Sequence, residues 1–461
     1  MNNNKPMRHM YFLLFVIFLA MAGYFAHMVL VQAPDFVANP FNARVHAGNP
    51  GIMRGRIYDA NGIILAESLL ADGVYSREYP FGAAFAHVVG FSDVSNSGLE
   101  LSRNFQLYRI NRELTQRVRN AIFDESIEAN SIFTTLHAPL QLALHEGMGA
   151  GGGAAVAISP ASGEILAMVA TPGFDPNLIA QNWPALSADD RAPLLNRATA
   201  GLYPPGSIFK IITALAALEY GISPDFYIDC AGRALFDGNN IQCHNQHAHG
   251  RTDMAAAMVY SCNIYFAALA QKIGAAPIAE MAARLGFGEA PAFELGAAAP
   301  LFPMAADASI AELVETAFGQ GRTLTNPLHM AILAAALANN GMAMNPFIVS
   351  HGETPRGTSV FCNLPRQAGQ IIPAEHIDII NQMLADVVIY GTGRPAHHSD
   401  IQISGKTGTA ENPAGPAHSW FMGFAPADAP QIAIAIIIEH TGGGPRATQL
   451  AREAIATFLN N

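Results

Sequence analysis

The stretch YPPGSIFKIITALAALE, residues 203–219, combines a buried helix with two polar side chains that a purely structural helix does not need. The Pro-Pro-Gly run at 204–206 prevents an earlier helix start, and the apolar spacing after it is typical of a buried helix. Ser207 therefore lies on the first turn, with Lys210 one turn later on the same side. On its own, this pattern fits a capping serine beside a snorkelling lysine as well as it fits a reactive pair.

Two further stretches favour the reactive pair. MVYSCNIYFAAL places Ser261 and Asn263 within an apolar helical region, and SGKTGTAEN places Lys406, Thr407 and Gly408 in a predicted strand. Either fragment alone is more often a capped loop or an ordinary turn. In this order, and together with the first stretch, they match the Ser-x-x-Lys, Ser-x-Asn, Lys-Thr-Gly signature of active-site serine acyltransferases.

The chemistry explains these residue types. A serine hydroxyl is a poor nucleophile near neutral pH and must lose its proton to a base as it attacks. Lys210 can accept that proton from Ser207 if burial and neighbouring positive charge lower its pKa. Ser261 can relay a proton between Lys210 and a leaving amine, and Asn263 offers an amide to a substrate peptide bond.

The third motif and the helix start supply the remaining groups. The Ser207 N–H is free at a helix N-terminus and can donate to a developing oxyanion, with a second donor from the strand that carries Lys406. Lys406 and Thr407 can hold a terminal carboxylate, and Gly408 lets the strand approach the substrate closely. These roles predict an acyl transfer through a serine ester.

Composition restricts the function classes. The 461-residue chain is 51% hydrophobic and 13% charged, which predicts a substantial core rather than extensive disorder, in two folded units or one large one. Its formal net charge of -11 provides no basic stripe, so we expect no nucleic-acid partner.

An apolar run at residues 11–31 is long enough to cross a bilayer as one helix. A cleaved signal peptide is the alternative, but its apolar core is usually only about 7 to 15 residues long. Lys5 and Arg8 precede the run, so the positive-inside bias predicts a cytoplasmic tail at 1–10 and an extracytoplasmic body after a single membrane span.

The rest of the chain alternates strand and helix patterns. Asn61 and Gly62 form a favourable turn between two short strands, and a second hairpin is predicted around residues 160–163. A helical middle follows, then three strands and a terminal helix at 447–459. Strands at both ends of a helical middle predict one sheet assembled from the two ends, with helices packed on it.

With these motifs, the chain resembles class B, monofunctional penicillin-binding proteins, which are peptidoglycan D,D-transpeptidases. RGRIYDANGIILA at 54–66 and GLELS at 98–102 are similar to motifs of the family's N-terminal pedestal. SPASGEILAMVATPGFDPN at 159–177 resembles the start of its transpeptidase domain, and AFGQG at 317–321 and GTG at 391–393 also match.

The resemblance implies an α+β fold. An N-terminal transmembrane helix (11–31) is followed by a small β-rich pedestal of the dimerisation type (32–133). The transpeptidase domain (134–461) then has an antiparallel sheet flanked by helices and an all-helical subdomain.

The resemblance also assigns roles and partners. It implies that Ser207 is the acylated nucleophile, Lys210 its base, and the N–H groups of Ser207 and Thr409 the oxyanion hole. The implied substrate is the D-Ala-D-Ala end of a stem peptide, with β-lactams as covalent inhibitors. Because the broken peptide bond drives the exchange, no cofactor is expected. The family implies a separate membrane glycosyltransferase as partner, and the sequence leaves open a role in division, elongation or sporulation.

Two other functions fit part of the pattern. A serine β-lactamase shares the nucleophile and the fold, but no Glu-x-x-Leu-Asn lies between Ser261 and Lys406, and a hydrolase needs no anchored pedestal. A non-catalytic envelope scaffold or β-lactam sensor would not need Ser207 and Lys210 together. Stable labelling by a fluorescent penicillin, rapid turnover or no labelling separates these alternatives.

The four cysteines raise two further questions. Cys230 and Cys243 flank a predicted hairpin tip at 237–240, which favours a disulfide between them. CHNQHAHG at 243–250 also concentrates a cysteine and three histidines, so metal ligation there is geometrically feasible. Because exposed loop histidines are common and no second ligand cluster accompanies them in the sequence, we expect no metal.

Overall fold

A computed structural model of the chain describes residues 5–28, 52–71, 74–108, 127–412 and 415–460. The last three residues of the expected membrane span, 29–31, and parts of the expected pedestal, including 32–51 and 109–126, lie outside the described residues.

An N-terminal helix covers the apolar run. It extends over Lys5–His27, and its portion Met7–His27 has a mean hydropathy of 1.9 with no part buried against the rest of the protein. Length and composition make it a candidate membrane span, in agreement with the predicted anchor.

The described residues contain fifteen α-helices, which we number in chain order: α1 (Lys5–His27), α2 (Ala86–Val89), α3 (Gly98–Ser102), α4 (Asn104–Tyr108), α5 (Ala138–Met148), α6 (Ile179–Ala188), α7 (Arg197–Ala200), α8 (Lys210–Glu219), α9 (Met254–Val259), α10 (Asn263–Ile273), α11 (Ala275–Arg284), α12 (Ile310–Ala317), α13 (Pro327–Ala338), α14 (Ala374–Tyr390) and α15 (Arg446–Leu459).

The strands in the same residues are β1 (Ile52–Met53), β2 (Ile57–Tyr58), β3 (Ile64–Ala71), β4 (Val74–Glu78), β5 (Ile127–Glu128), β6 (Ser131–Thr134), β7 (Gly153–Ile158), β8 (Ile165–Thr171), β9 (Ile228–Cys230), β10 (Arg233–Phe236), β11 (Asn239–Gln242), β12 (Gly250–Thr252), β13 (Met342–Met344), β14 (Val349–Glu353), β15 (Ser359–Cys362), β16 (Gln367–Gln370), β17 (Ser404–Asn412), β18 (Gly415–Ala425) and β19 (Ile432–Ile438).

The central sheet joins the two ends of the C-terminal region. It has five strands in the order β17-β18-β19-β7-β8, and every neighbouring pair is antiparallel. The predicted sheet from both ends, the hairpin around 160–163 and the terminal helix are all confirmed. Because β17 is an edge strand, one side of the third motif is free to face a cleft.

Helices cover both faces of this sheet. In β19 the side chains of Ala433, Ala435 and Ile437 point into the core that contains α13, because strand residues alternate between faces. The intervening isoleucines, among them Ile434 and Ile436, face a second core formed with α5 and α15. The nearly continuous apolar strand sequence follows from this burial on both sides.

Helix α8 lies in the centre of the helical part. Its residues from Lys210 to Leu218 are all buried, and it packs against α9, α10, α11 and α14. Helix α14 in turn packs on β17. The start of α8 is therefore fixed by contacts on several sides, next to the edge of the central sheet.

A second sheet carries the N-terminal residues. Its six strands lie in the order β15-β14-β6-β2-β3-β4, and the predicted hairpin at Asn61 and Gly62 joins β2 to β3. Its loop spans residues 59–63 and is therefore longer than two residues, and Asp59 Oδ1 accepts hydrogen bonds from the Asn61 and Ile63 N–H groups within it. Strand β6 contains the expected domain boundary at 133/134 and pairs with β14, so this sheet continues across that boundary.

Candidate active site

Ser207 lies on a short 3-10 turn, Gly206–Phe209, that leads directly into α8. Gly206 has φ +55, and a Cβ there would be 2.4 Å from the Thr409 carbonyl oxygen. Its N–H donates to the Gly319 carbonyl at 2.9 Å. Only glycine fits this position, because the turn is held between strand β17 and the loop around Gly319.

The structure brings the first two motifs together around one amine. Lys210 Nζ is 3.1 Å from Ser207 Oγ, 2.9 Å from Ser261 Oγ, 2.7 Å from the Ser261 carbonyl oxygen and 2.7 Å from Asn263 Oδ1. The Lys210 side chain is fully buried. The sequence prediction of a lysine on a buried face beside the serine is confirmed in position.

The protonation of Lys210 follows from these surroundings. Burial lowers the pKa of Lys210 to about 7, and the thiols of Cys262 and Cys243 offset only part of that effect. A neutral amine has two N–H donors, which suit the Ser261 carbonyl and Asn263 Oδ1, because both oxygens can only accept. The lone pair is then left for a hydroxyl proton from Ser207 or Ser261.

Ser261 occupies the break between α9 and α10. Its φ is +58, a left-handed conformation that is uncommon for a residue with a side chain. Cys262 follows as the N-cap of α10, and its Sγ accepts from the Tyr265 N–H at 3.4 Å. Asn263 Nδ2 donates to the Gln242 carbonyl at 2.8 Å, which fixes Asn263 Oδ1 toward Lys210.

The third motif lies on edge strand β17. Lys406 is fully buried, and its Nζ donates to the Thr407 carbonyl at 3.1 Å. Burial, with a smaller contribution from the charge of Lys210, lowers the pKa of Lys406 well below its ordinary value. The hydroxyls of Thr407 and Thr392 are hydrogen-bonded at 2.7 Å, so the GTG stretch at 391–393 orients the third motif.

Gly408 allows a close backbone contact that its motif alone does not predict. A Cβ at Gly408 would lie 2.9 Å from Trp420 Cβ and 3.0 Å from the Pro205 carbonyl oxygen. Trp420 Nε1 donates to the Pro204 carbonyl at 3.0 Å. Gly408 thus lets β17 and β18 pack directly against the nucleophile turn.

These residues surround one open cleft of about 940 Å³. Its lining includes the motif residues Ser207, Ser261, Asn263, Thr407, Gly408 and Thr409. Lys210 and Lys406 lie beneath this lining as buried groups. The sequence motifs therefore meet at one surface, where the serine, threonine and amide groups are at least partly exposed and two amines lie below them.

Part of the cleft wall consists of residues that lie outside the three sequence motifs and were not predicted to line a site. The cleft is also lined by Tyr260, Tyr390 and Trp420 and by six residues of one segment: Gln242, Cys243, His244, Asn245, His247 and His249. Thr392 and Gly319 belong to GTG at 391–393 and AFGQG at 317–321, which resemble family motifs. The sequence could therefore indicate that both contribute to the site. The role of Gln242, whose carbonyl orients Asn263, depends on a contact across 21 residues and could not be read from spacing.

Sequence comparison assigns both parts of the chain to known domain families. Residues 153–456 match the penicillin binding protein transpeptidase domain. Residues 54–132 match the penicillin binding protein A dimerisation domain.

Individual proteins resemble most of the chain. The peptidoglycan D,D-transpeptidase PbpA of Mycolicibacterium smegmatis is 31% identical, over 92% of this chain and 92% of its own length. Penicillin-binding protein A from M. tuberculosis, solved as an imipenem acyl-enzyme complex, is 29% identical with a TM-score of 0.83, over 89% of this chain and 100% of that structure. A D,D-transpeptidase domain from Eggerthella lenta is 31% identical with a TM-score of 0.82, over 89% and 99%.

Proposed function

Because the chain belongs to the penicillin-binding protein transpeptidase family, we propose that it is a peptidoglycan D,D-transpeptidase that cross-links stem peptides and is acylated by β-lactams. The relatives named above are transpeptidases and a β-lactam acyl-enzyme, which supports this activity over a β-lactamase or a scaffold. The single observation that supports it most is the buried Lys210 amine in hydrogen-bonding contact with the Ser207 hydroxyl.

In the proposed acylation, Ser207 Oγ attacks the carbonyl carbon of the penultimate D-Ala while its proton passes to Lys210 Nζ. The C–N bond to the terminal D-Ala then breaks, and the departing amine takes a proton relayed from Lys210 by the Ser261 hydroxyl. The contacts of 2.9 and 3.1 Å around the amine support both transfers.

Deacylation reverses these roles. The amine of a second stem peptide attacks the carbonyl carbon of the Ser207 ester and gives up a proton to Lys210 Nζ through the Ser261 hydroxyl. The new amide bond is the cross-link. Ser207 regains its proton as the ester bond breaks. No cofactor takes part in this sequence, because the free energy of the donor peptide bond is retained in the ester.

The third motif binds the donor's terminal carboxylate in this scheme. Thr407 Oγ1, held by Thr392, donates to the carboxylate, and Lys406 supplies positive charge from below. A carboxylate that reaches the cleft favours the protonated form of Lys406 and so offsets the effect of burial on its pKa. The oxyanion formed at the carbonyl is assigned to the Ser207 and Thr409 N–H groups.

The location of the chain follows from its first helix. We place residues 1–10 in the cytoplasm and the body after the span outside it, since Lys5 and Arg8 precede the apolar stretch. We also propose that residues 32–133 form the pedestal and residues 134–461 the transpeptidase domain. A separate membrane glycosyltransferase is the proposed partner. A periplasmic-type reporter fused at Asn461 should be active, whereas activity of a cytoplasm-only reporter would contradict this topology.

Labelling by a fluorescent penicillin tests the proposed activity. The wild-type protein should form a stable covalent adduct at Ser207, located by mass spectrometry, and Ser207→Ala should form none. Rapid release of the label would favour a β-lactamase, and no labelling of folded wild-type protein would contradict acyl transfer. A D-Ala-D-Ala donor with an amine acceptor should then give a cross-linked product.

A further inference from the structure

We propose that Cys230, Cys243, His249 and Cys262 form a binding site for one zinc ion in the wall of the cleft. Their four candidate ligand atoms all lie within 4.8 Å of one another. The three thiols are buried and His249 is half-buried. The sequence shows no second ligand cluster beside the histidine-rich stretch, but the fold brings Cys230 and Cys262, from elements outside it, next to Cys243 and His249.

The distances fit a single tetrahedral ion. Cys230 Sγ and Cys243 Sγ are 3.7 Å apart, Cys243 Sγ and Cys262 Sγ are 3.6 Å apart, and Cys230 Sγ is 3.4 Å from His249 Nδ1. An ion with Zn–S of about 2.3 Å and Zn–N of about 2.0 Å separates its ligands by about 3.5 to 3.8 Å in a tetrahedron. Three thiolates and one imidazole are a typical zinc ligand set.

The same distances do not describe the disulfide that the sequence favours. Cys230 and Cys243 are free, and a disulfide would hold their sulfurs about 2.05 Å apart. The predicted hairpin between them is confirmed, since β10 pairs with β11 around Asp237 and Gly238. The hairpin brings the two cysteines together as expected, but Cys262 stands equally close to Cys243, which a two-cysteine bridge does not explain.

Backbone pairing places the ligands independently of their side chains. Cys230 ends β9 and pairs with Gly250 of β12, so the adjacent His249 lies beside it. The Cys243 N–H donates to the Gly232 carbonyl at 3.0 Å, which brings the end of the hairpin back to β9. Cys262 enters from the helical side, as the N-cap of α10. A zinc ion there would tie the β9–β12 segment to that helix.

This site is connected to the proposed chemistry, and that part of the inference rests on the proposed function. Cys262 lies between Ser261 and Asn263, the two residues of the second motif that contact Lys210. A ligand bond to Cys262 would hold the left-handed Ser261 and the start of α10 in place. Zinc is thus a positioning element for the second motif, with no contact to the reacting atoms.

Metal content is the direct test. The full chain is purified in detergent without a histidine tag or chelator, and its metals are measured by mass spectrometry. We expect one zinc per wild-type chain and less than a tenth of that in Cys230→Ser and His249→Ala. The matched controls Cys362→Ser and His244→Ala, which change an exposed cysteine and an exposed loop histidine, should keep one zinc. Zinc-free wild-type protein, or equal zinc in ligand and control variants, would overturn the site.

Measurements on the wild-type protein guard against variants that fail to fold. Cobalt in place of zinc should give visible bands of a tetrahedral thiolate-rich site, and a weak octahedral spectrum would contradict it. One thiol, Cys362, should react before a chelator is added and three more afterwards. A Cys230–Cys243 disulfide in non-reduced digests would also refute the site.

The positioning role has its own readout. Removing zinc from folded protein should slow acylation by a fluorescent penicillin on the order of 10²-fold, as expected for misplaced catalytic groups, and zinc should restore the rate. An unchanged rate in zinc-free protein would refute the positioning role. If the zinc-loaded protein were never acylated, the proposed transpeptidase activity would fail, while metal content would still decide the site.

Discussion

Among the charged side chains that are buried in the described residues, two groups are stabilised in opposite ways. Glu100 is fully buried and accepts from Arg54 Nε at 2.5 Å and Arg77 Nε at 2.7 Å. Lys210 and Lys406 are equally buried, yet in the part of the chain that the structure describes they contact hydroxyl, amide and carbonyl oxygens and no carboxylate.

The difference separates a structural group from the group that we propose to be reactive. Arg54 and Glu100 belong to the two N-terminal motifs, 54–66 and 98–102, so their ion pair joins the segments that those motifs define. An amine without an anion instead loses its proton more readily, as the pKa of about 7 for Lys210 shows. Burial with a charged partner stabilises the fold, whereas burial of Lys210 without an anion lowers its pKa and suits it to the proposed role of base.

The largest effect is expected from substitution of Lys210, one of the two buried amines without an anion. Lys210→Ala should slow acylation by a fluorescent penicillin on the order of 10² to 10⁴-fold, because Ser207 loses its proposed base. Lys210→Arg should be equally slow, since arginine keeps the charge but does not give up its proton. Stopped-flow labelling measures both rates, and circular dichroism checks folding. A Lys210→Arg variant with nearly wild-type rate would mean that charge or packing, and not proton transfer, is the contribution of Lys210.

Disruption of the ion pairs of Glu100 should lower the free energy of unfolding. Glu100→Gln leaves two buried guanidinium groups without their anion and should lower the free energy of unfolding by roughly 3 to 5 kcal/mol. The matched control is Glu219→Gln, which breaks a more exposed pair with Arg284 and should cost at most about 1 kcal/mol. Urea unfolding measures both. Equal effects of the two variants would show that the Glu100 network contributes no more than a surface pair.

The pH dependence of acylation sharpens the contrast. Because the neutral form of Lys210 is the proposed base and its pKa is lowered to about 7, the acylation rate should rise with pH up to about 7 and level off above it. Below that value the rate should fall about tenfold per pH unit, or roughly 100-fold at pH 5. A rate constant that stayed level between pH 5 and 9, in protein shown to be folded throughout, would exclude a titrating Lys210.

The sequence predicted the parts that depend on short-range patterns. Continuous apolar runs in β7, β8 and β19 identified strands of the central sheet, and the i, i+3 spacing of Ser207 and Lys210 placed both on one side of a helix start. Three short motifs in order predicted which residues meet at one cleft, because each motif carries its own local geometry.

Contacts between distant segments could not be predicted in the same way. Strand β14 pairs with β6, although more than 200 residues separate them in the sequence. No local pattern could therefore predict that the six-stranded sheet continues across the expected domain boundary at 133/134. Gly206 is constrained by Thr409 and Gly319, which the sequence separates by long segments. Cys262 could be recognised as a neighbour of Cys243 only after the helix that it caps had been placed.

The smallest expected effect concerns Thr392, whose hydroxyl orients Thr407. Thr392→Val keeps the shape but removes the hydrogen bond, worth about 1 kcal/mol, so kcat/KM for a D-Ala-D-Ala donor should fall roughly five- to tenfold. Thr392→Ser retains a hydroxyl and should stay near the wild-type value. A donor with an amidated C-terminus supplies the decisive control, because it lacks the carboxylate that Thr407 is proposed to bind. If Thr392→Val slowed both donors equally, Thr392 would be supporting the strand as a whole, and the carboxylate would have to be bound by other groups.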